Sequence, residues 1–141
     1  MKSLYLVLVV IALFGCNKNS TNSAQSDTQY YVKYVVDGGA SYPLVTSSTS
    51  GLKVKLINDK NIIEEYVRGN SLSSEFPVGP IKKGFTATLT ALRYPATANS
   101  NLYIKPKLQI FVSMNNGPYV LKKEDMSNAT RDSATINYVI E

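Results

Sequence analysis

Histidine and tryptophan are missing from this chain of 141 residues, and cysteine occurs once, at Cys16. Without an imidazole there is no histidine triad and no histidine-ligated metal site. A lone cysteine closes no disulfide within the chain, so the fold has to hold by packing. Acidic residues are also few, 10 against 15 lysines and arginines, for a formal net charge of +5. That surplus gives mild attraction to anionic lipid or polysaccharide; it is weak support for nucleic acid, which is not expected as a partner. No apolar run is long enough to cross a bilayer as a helix. Leu4 to Phe14 has 11 residues, which at about 1.5 Å each gives roughly 16 Å against a hydrocarbon core of about 30 Å.

What the N-terminus does contain is the layout of a cleavable export signal: Lys2, the apolar run, then the small residue Gly15. Leu13-Phe14-Gly15-Cys16 resembles the lipobox of bacterial lipoproteins, an aliphatic residue, a variable one, a small one and cysteine. The resemblance implies that the Cys16 thiol takes a diacylglyceryl group, that the signal is cut before it, and that the new amine is often acylated. Two or three chains hold firmly where one holds reversibly, since each buried methylene contributes about 0.8 kcal/mol. The expected organisation is therefore a signal peptide over 1–15, a lipidated cysteine and polar tether over 16–28, and one domain over 29–141. Asn17 to Thr28 reads NKNSTNSAQSDT, with too little apolar surface to order itself, and random-coil scaling gives it a span of about 20 Å. The expected location is the cell envelope, lipid-anchored at the outer membrane. Some Bacteroidetes lipoproteins carry an acidic run after the cysteine as a surface-export signal. Asn17, Lys18, Asn19 and Ser20 lack it, which favours the periplasmic face.

Residues 29–141 alternate with period two, the signature of half-buried strands. Tyr30, Val32, Tyr34 and Val36 share a face. So do Leu52, Val54 and Leu56; Phe85, Ala87, Leu89 and Ala91; Leu108, Ile110, Val112 and Met114; and Ala134, Ile136, Tyr138 and Ile140. Ile62 to Arg68 and Leu72 to Phe76 are shorter candidates. Turn signals fall at Asp37-Gly38-Gly39, Asn58 to Asn61, Gly69-Asn70, Gly79-Pro80, Lys83-Gly84 and Asn115 to Pro118. Asn58 to Asn61 reads as a hairpin loop. Pro106 suggests a strand start, bulge or edge, and Lys122 to Asn128 one helical turn. The expectation is an all-β domain, an antiparallel two-sheet sandwich of about seven strands, immunoglobulin-like by strand count alone.

Three segments carry a resemblance across most of the domain: Tyr30 to Tyr34, Gly79-Pro80-Ile81-Lys82-Lys83-Gly84-Phe85, and Ser133 to Ile140. Together they look like a group of small, uncharacterised Bacteroidetes lipoproteins. They are more distantly similar to the β-sandwich domain of mycobacterial membrane-transport accessory proteins of the MmpS type. The resemblance implies an extracytoplasmic β-sandwich and supplies no catalytic residues.

The residues themselves offer little chemistry. Glu64 and Glu65 are adjacent, so on a strand they point to opposite faces and do not pair. Glu124-Asp125 reads as a loop pair. Serines 71, 73 and 74 near Lys82 or Lys83 form no specific serine–lysine dyad, and no Asp-x-Asp-x-Asp run suggests calcium. No metal and no cofactor is expected. Two binding features stand out. Tyr103, Lys105, Lys107, Gln109 and Phe111 share a parity and would form an outward strip of aromatics and cations suited to a sugar polymer or an acidic partner. Asp132-Ser133-Ala134 is similar to the acceptor motif for O-glycosylation in Bacteroidetes, which would fall on Ser133. The expected function is a non-catalytic binding or adaptor module at the envelope, its partners the membrane through Cys16 and an envelope protein or glycan. Capture of a glycan or anionic polymer is the alternative, and a small carboxylate or serine–lysine hydrolase the next.

Overall fold

The computed structural model describes residues 28–38, 51–68, 73–94, 105–127, 129 and 131–141. Cys16, the signal-like segment and the tether, apart from Thr28, lie outside the described residues, as does Tyr103. Eight strands run in order: β1 (Tyr30–Asp37), β2 (Gly51–Ile57), β3 (Ile63–Arg68), β4 (Ser73–Ile81), β5 (Thr86–Tyr94), β6 (Lys107–Met114), β7 (Val120–Asp125) and β8 (Ser133–Val139). They form two sheets of four, β4-β1-β6-β7 and β3-β2-β5-β8, with every pairing antiparallel. The expected two-sheet sandwich is what the chain adopts, with one strand more than the alternation suggests.

The core lies between the sheets and follows the period-two pattern. Val32, Tyr34 and Val36 of β1 meet Leu108 and Ile110 of β6 on one side, and Leu52, Val54, Ala87, Leu89 and Ala91 line the other, all fully buried. Every described strand and every buried core residue falls between Tyr30 and Ile140. Tyr34 is buried with its hydroxyl donating to the Ile57 carbonyl at 2.9 Å. Burial pushes its phenol well above the ordinary value, opposed by a backbone hydrogen bond at Thr88.

Two local expectations change. Gly79-Pro80 is not a turn between strands; it sits inside β4 as a bulge. Tyr30 pairs with Ile81 and Val32 with Val78, so three residues of β4 span two of β1. The extra residue switches parity, which brings Phe76 and Ile81 both into the core. The Gly79–Pro80 peptide is cis, and Gly79 has φ +143°. β4 is an edge strand, where proline withholds no needed ladder bond.

Lys122 to Asp125 belong to β7 rather than to a helical turn, and the Glu124-Asp125 pair is therefore in a strand. β7 pairs with β6 with a shift at Lys122, since Ile110 faces Lys123 and Phe111 faces Leu121. Val120 to Glu124 are all exposed. A strand with neither face covered has no reason to alternate, which is why its sequence shows no period.

The β2–β3 hairpin turns at Asn58 to Asn61 as expected. The Asn58 side chain accepts from the backbone N–H groups of Lys60 and Ile62 at 3.0 and 2.9 Å. The β6–β7 hairpin turns on Asn115 and Asn116, both at positive φ, a conformation asparagine tolerates. One pole of the sandwich is tied by backbone bonds. Asn115 N–H donates to the Gln29 carbonyl at 2.8 Å, and Gly84 N–H to the Ile140 carbonyl at 2.8 Å. The entry of the domain, the β4–β5 turn, the β6–β7 turn and the residues after β8 thus share that pole.

Candidate functional site

The outer face of the β4-β1-β6-β7 sheet carries what is described of the sequence-expected strip. Lys107, Gln109 and Phe111 share this face on β6, half-buried. Lys105 is exposed but precedes the strand, because Pro106 is buried just before β6 begins. The strip is not free. Phe111 lies opposite Lys33 of β1, whose ammonium sits 5.2 Å from its ring centre. The same ammonium is 5.3 Å from the Tyr119 ring and 3.2 Å from Glu75. Gln109 donates to Glu124 at 3.3 Å. Lys33, Glu75 and Tyr119 come from distant segments, so no local pattern brings them to Phe111.

The opposite outer face, on the β3-β2-β5-β8 sheet, is also charge-paired. Glu65 accepts from Lys55 at 2.5 Å and lies 3.4 Å from Lys53. These lysines, Lys55 foremost, hold its carboxyl below the usual range. Ser133 is exposed at the start of β8 and pairs with Leu92. Beside it the Asp132 carboxylate lies 3.1 Å from the Arg93 Nε. A shallow cleft of about 450 Å³ joins Lys53, Lys55, Arg93, Tyr94, Asp132 and Ser133.

Glu64 and Glu65 point to opposite faces, as strand geometry requires. Glu64 accepts from the Tyr66 hydroxyl and from Asn58 Nδ2, the latter at 2.7 Å. Those two bonds, with Lys60 nearby, depress its pKa. Asp125 accepts from Arg131 at 2.7 Å and from Ser127 N–H at 3.1 Å, which keeps its carboxyl low as well. These three carboxylates are held ionised by their partners, the opposite of what a general acid needs.

Another concavity lies along the side of the sandwich where β7 and β8 are the two sheet edges. Val112 and Val120 form one wall, on the inner side of their sheet. Tyr138 and Ile140 form the other, and Tyr30 and Met114 extend it toward the pole where the domain begins. Its volume is about 520 Å³. Met114 shares the inward parity of Leu108, Ile110 and Val112, yet it is 56% exposed, and Val120 is 51% exposed. Lys122, the bulge residue, and Glu141 bring charge to the rim. Tyr30 also lines a shallow hollow with Thr28, Lys82 and Lys83. Lys82 and Lys83, expected as a solvated turn, are exposed there. Sequence reading missed the groove because its walls come from β1, β6, β7 and β8. The one local trace is Val120-Leu121, an apolar pair between Pro118 and two lysines.

No protein-family model and no curated protein matches this sequence.

Proposed function

We propose that the chain is a lipid-anchored, non-catalytic binding module of the bacterial cell envelope, akin to the small Bacteroidetes lipoproteins it resembles. The anchor is Cys16, through the lipobox-like Leu13-Phe14-Gly15-Cys16, and the domain over 29–141 does the binding. The observation that carries the reading is the apolar groove. It opens at the pole where the chain coming from Cys16 enters the fold, marked by Thr28 and Tyr30. Capture of a glycan on the β6 strip is the weaker reading, because Lys33 already occupies a face of Phe111.

The experiment compares wild type with Cys16→Ala in a bacterial host fed labelled palmitate. Wild type should incorporate label and fractionate with the outer membrane. Cys16→Ala should carry no label and either stay unprocessed by the lipoprotein peptidase or leave the membrane fraction. Unchanged processing and unchanged membrane association in Cys16→Ala would refute the anchor.

A further inference from the structure

We propose that the groove between β7 and β8 holds an acyl chain of an anionic membrane phospholipid, its head group resting outside beside Lys122, Lys82 and Lys83. This deepens the reading of a membrane-held binding module and rests on it for the supply of lipid.

The walls have the chemistry of a tail site. Val112, Val120, Tyr138 and Ile140 line the gap between the sheets, and among the described residues Met114 and Val120 remain more than half exposed. Side chains on the inner side of a sandwich are normally covered by the opposite sheet. Here β7 and β8 are the two facing edges, and Met114 and Val120 stay exposed on the inner side of theirs. The volume of about 520 Å³ falls within the range of roughly 300–1,000 Å³ typical of small-molecule sites.

The charges fix the polarity of the occupant. Lys122 reaches the groove because the bulge in β7 places it there. Lys82 and Lys83 stand on the same pole, joined to the groove through Tyr30 and through the bond from Gly84 to Ile140. Within the groove Lys122 is matched by Glu141, and Lys82 and Lys83 of the adjoining hollow bring the surplus of positive charge. An apolar slot ending in a cationic rim matches an acyl tail with an anionic head, and it does not match a neutral lipid. The location agrees, since the chain leaves the domain toward Cys16 at this pole.

The test uses residues 17–141, which lack the anchoring cysteine but retain every described strand and every buried core residue. The chain is incubated with phosphatidylcholine vesicles carrying phosphatidylglycerol with a pyrene-labelled acyl chain, then separated from them. The reading is pyrene lipid recovered with the protein. Wild type should take up the anionic lipid, and uptake of pyrene-labelled phosphatidylcholine should be about tenfold lower. Val120→Trp fills the groove from an exposed position and should cut uptake by about tenfold or more. Met114→Trp serves the same purpose should Val120→Trp fail to fold. Lys82→Glu/Lys83→Glu/Lys122→Glu should abolish the preference for the anionic head group.

No uptake by wild type, or full uptake by a folded tryptophan variant, would overturn the proposal. Equal uptake of neutral and anionic lipid would overturn the head-group assignment. Sedimentation of wild type as a dimer that Val120→Trp dissociates would give the groove to a second copy instead. Because residues 17–141 lack Cys16, a negative result leaves the anchor standing, and the Cys16→Ala fractionation is read without reference to the groove.

Discussion

The Lys33 ammonium stands over the Phe111 ring, 5.2 Å from its centre, on the outer face where the two residues are cross-strand partners. A cation over an aromatic face at an exposed site contributes about 0.5–1 kcal/mol. A double-mutant cycle of Lys33→Ala and Phe111→Ala in urea melts should give a coupling of that size, about 0.5–1 kcal/mol. Additive losses would mean that the ring is packed by its other neighbours and that the cation adds nothing.

Leu89 and Ile110 are fully buried at the middle of β5 and β6, whereas Thr88, next to Leu89 on β5, has the opposite phase, faces outward and is half-buried. Leu89→Ala or Ile110→Ala should cost about 2–5 kcal/mol. Thr88→Ala should cost less than about 1 kcal/mol. Urea denaturation of the three variants checks the ordering, and a larger loss for Thr88→Ala would contradict the observed strand phase.

Gly79 has φ +143°, and a Cβ built there would lie 2.8 Å from the Tyr31 ring and 3.1 Å from the Tyr30 carbonyl. Backbone in that region and close contact with main chain both oppose any side chain. Gly79→Ala should destabilise the domain by about 1–3 kcal/mol. Gly84→Ala meets nothing within 4 Å but keeps a strained φ of +87°, so it should cost less. Equal losses for the two would show that the Tyr31 contact gives way freely.

Asp125 and Arg131 form a hydrogen-bonded ion pair, each side chain one-quarter exposed. The Arg131 guanidinium and then Ser127 N–H hold the Asp125 carboxyl below its ordinary value. The folded carboxyl is more acidic than the unfolded one. The pair therefore stabilises the fold fully above the unfolded value, about pH 4, and that stability is lost as pH falls toward the folded value. Asp125→Asn should cost about 1 kcal/mol at neutral pH. The gap between the Tm values of wild type and variant should close as pH drops below about 4. A gap independent of pH would assign the loss to packing.

Much of the fold was legible because burial on one side imposes a period of two. Val32-Tyr34-Val36, Leu52-Val54-Leu56 and Ala87-Leu89-Ala91 all turn inward as their alternation requires. The turn at Asn58 to Asn61 was legible because asparagine both bonds its own backbone and tolerates positive φ. β7 was not, since a strand open on both faces writes no pattern. Nor was the parity switch at Gly79-Pro80, where turn-forming residues serve a bulge. The groove was least legible of all. Tyr30, Val120 and Tyr138 lie far apart in sequence, and which sheet edge covers which is a property of strand order. The strip at Lys107 and Phe111 had its parity read properly, but the lysine that caps it sits on another strand.

β1 is made first, yet its two neighbours are β4 and β6, and β5 waits for β8 to complete its own pairing. Pairings so distant in sequence close slowly, because the intervening chain must be confined before any contact rewards it. A nascent chain that has not reached Lys107 leaves β1 with one open flank and the core without Leu108 and Ile110. At the end of β5 it holds β4-β1 and β3-β2-β5, with β6 and β8, the second neighbours of β1 and β5, still to come. Such a polypeptide completes its sheets only with the last three strands, so a truncation after Tyr94 leaves two open flanks rather than a smaller sandwich.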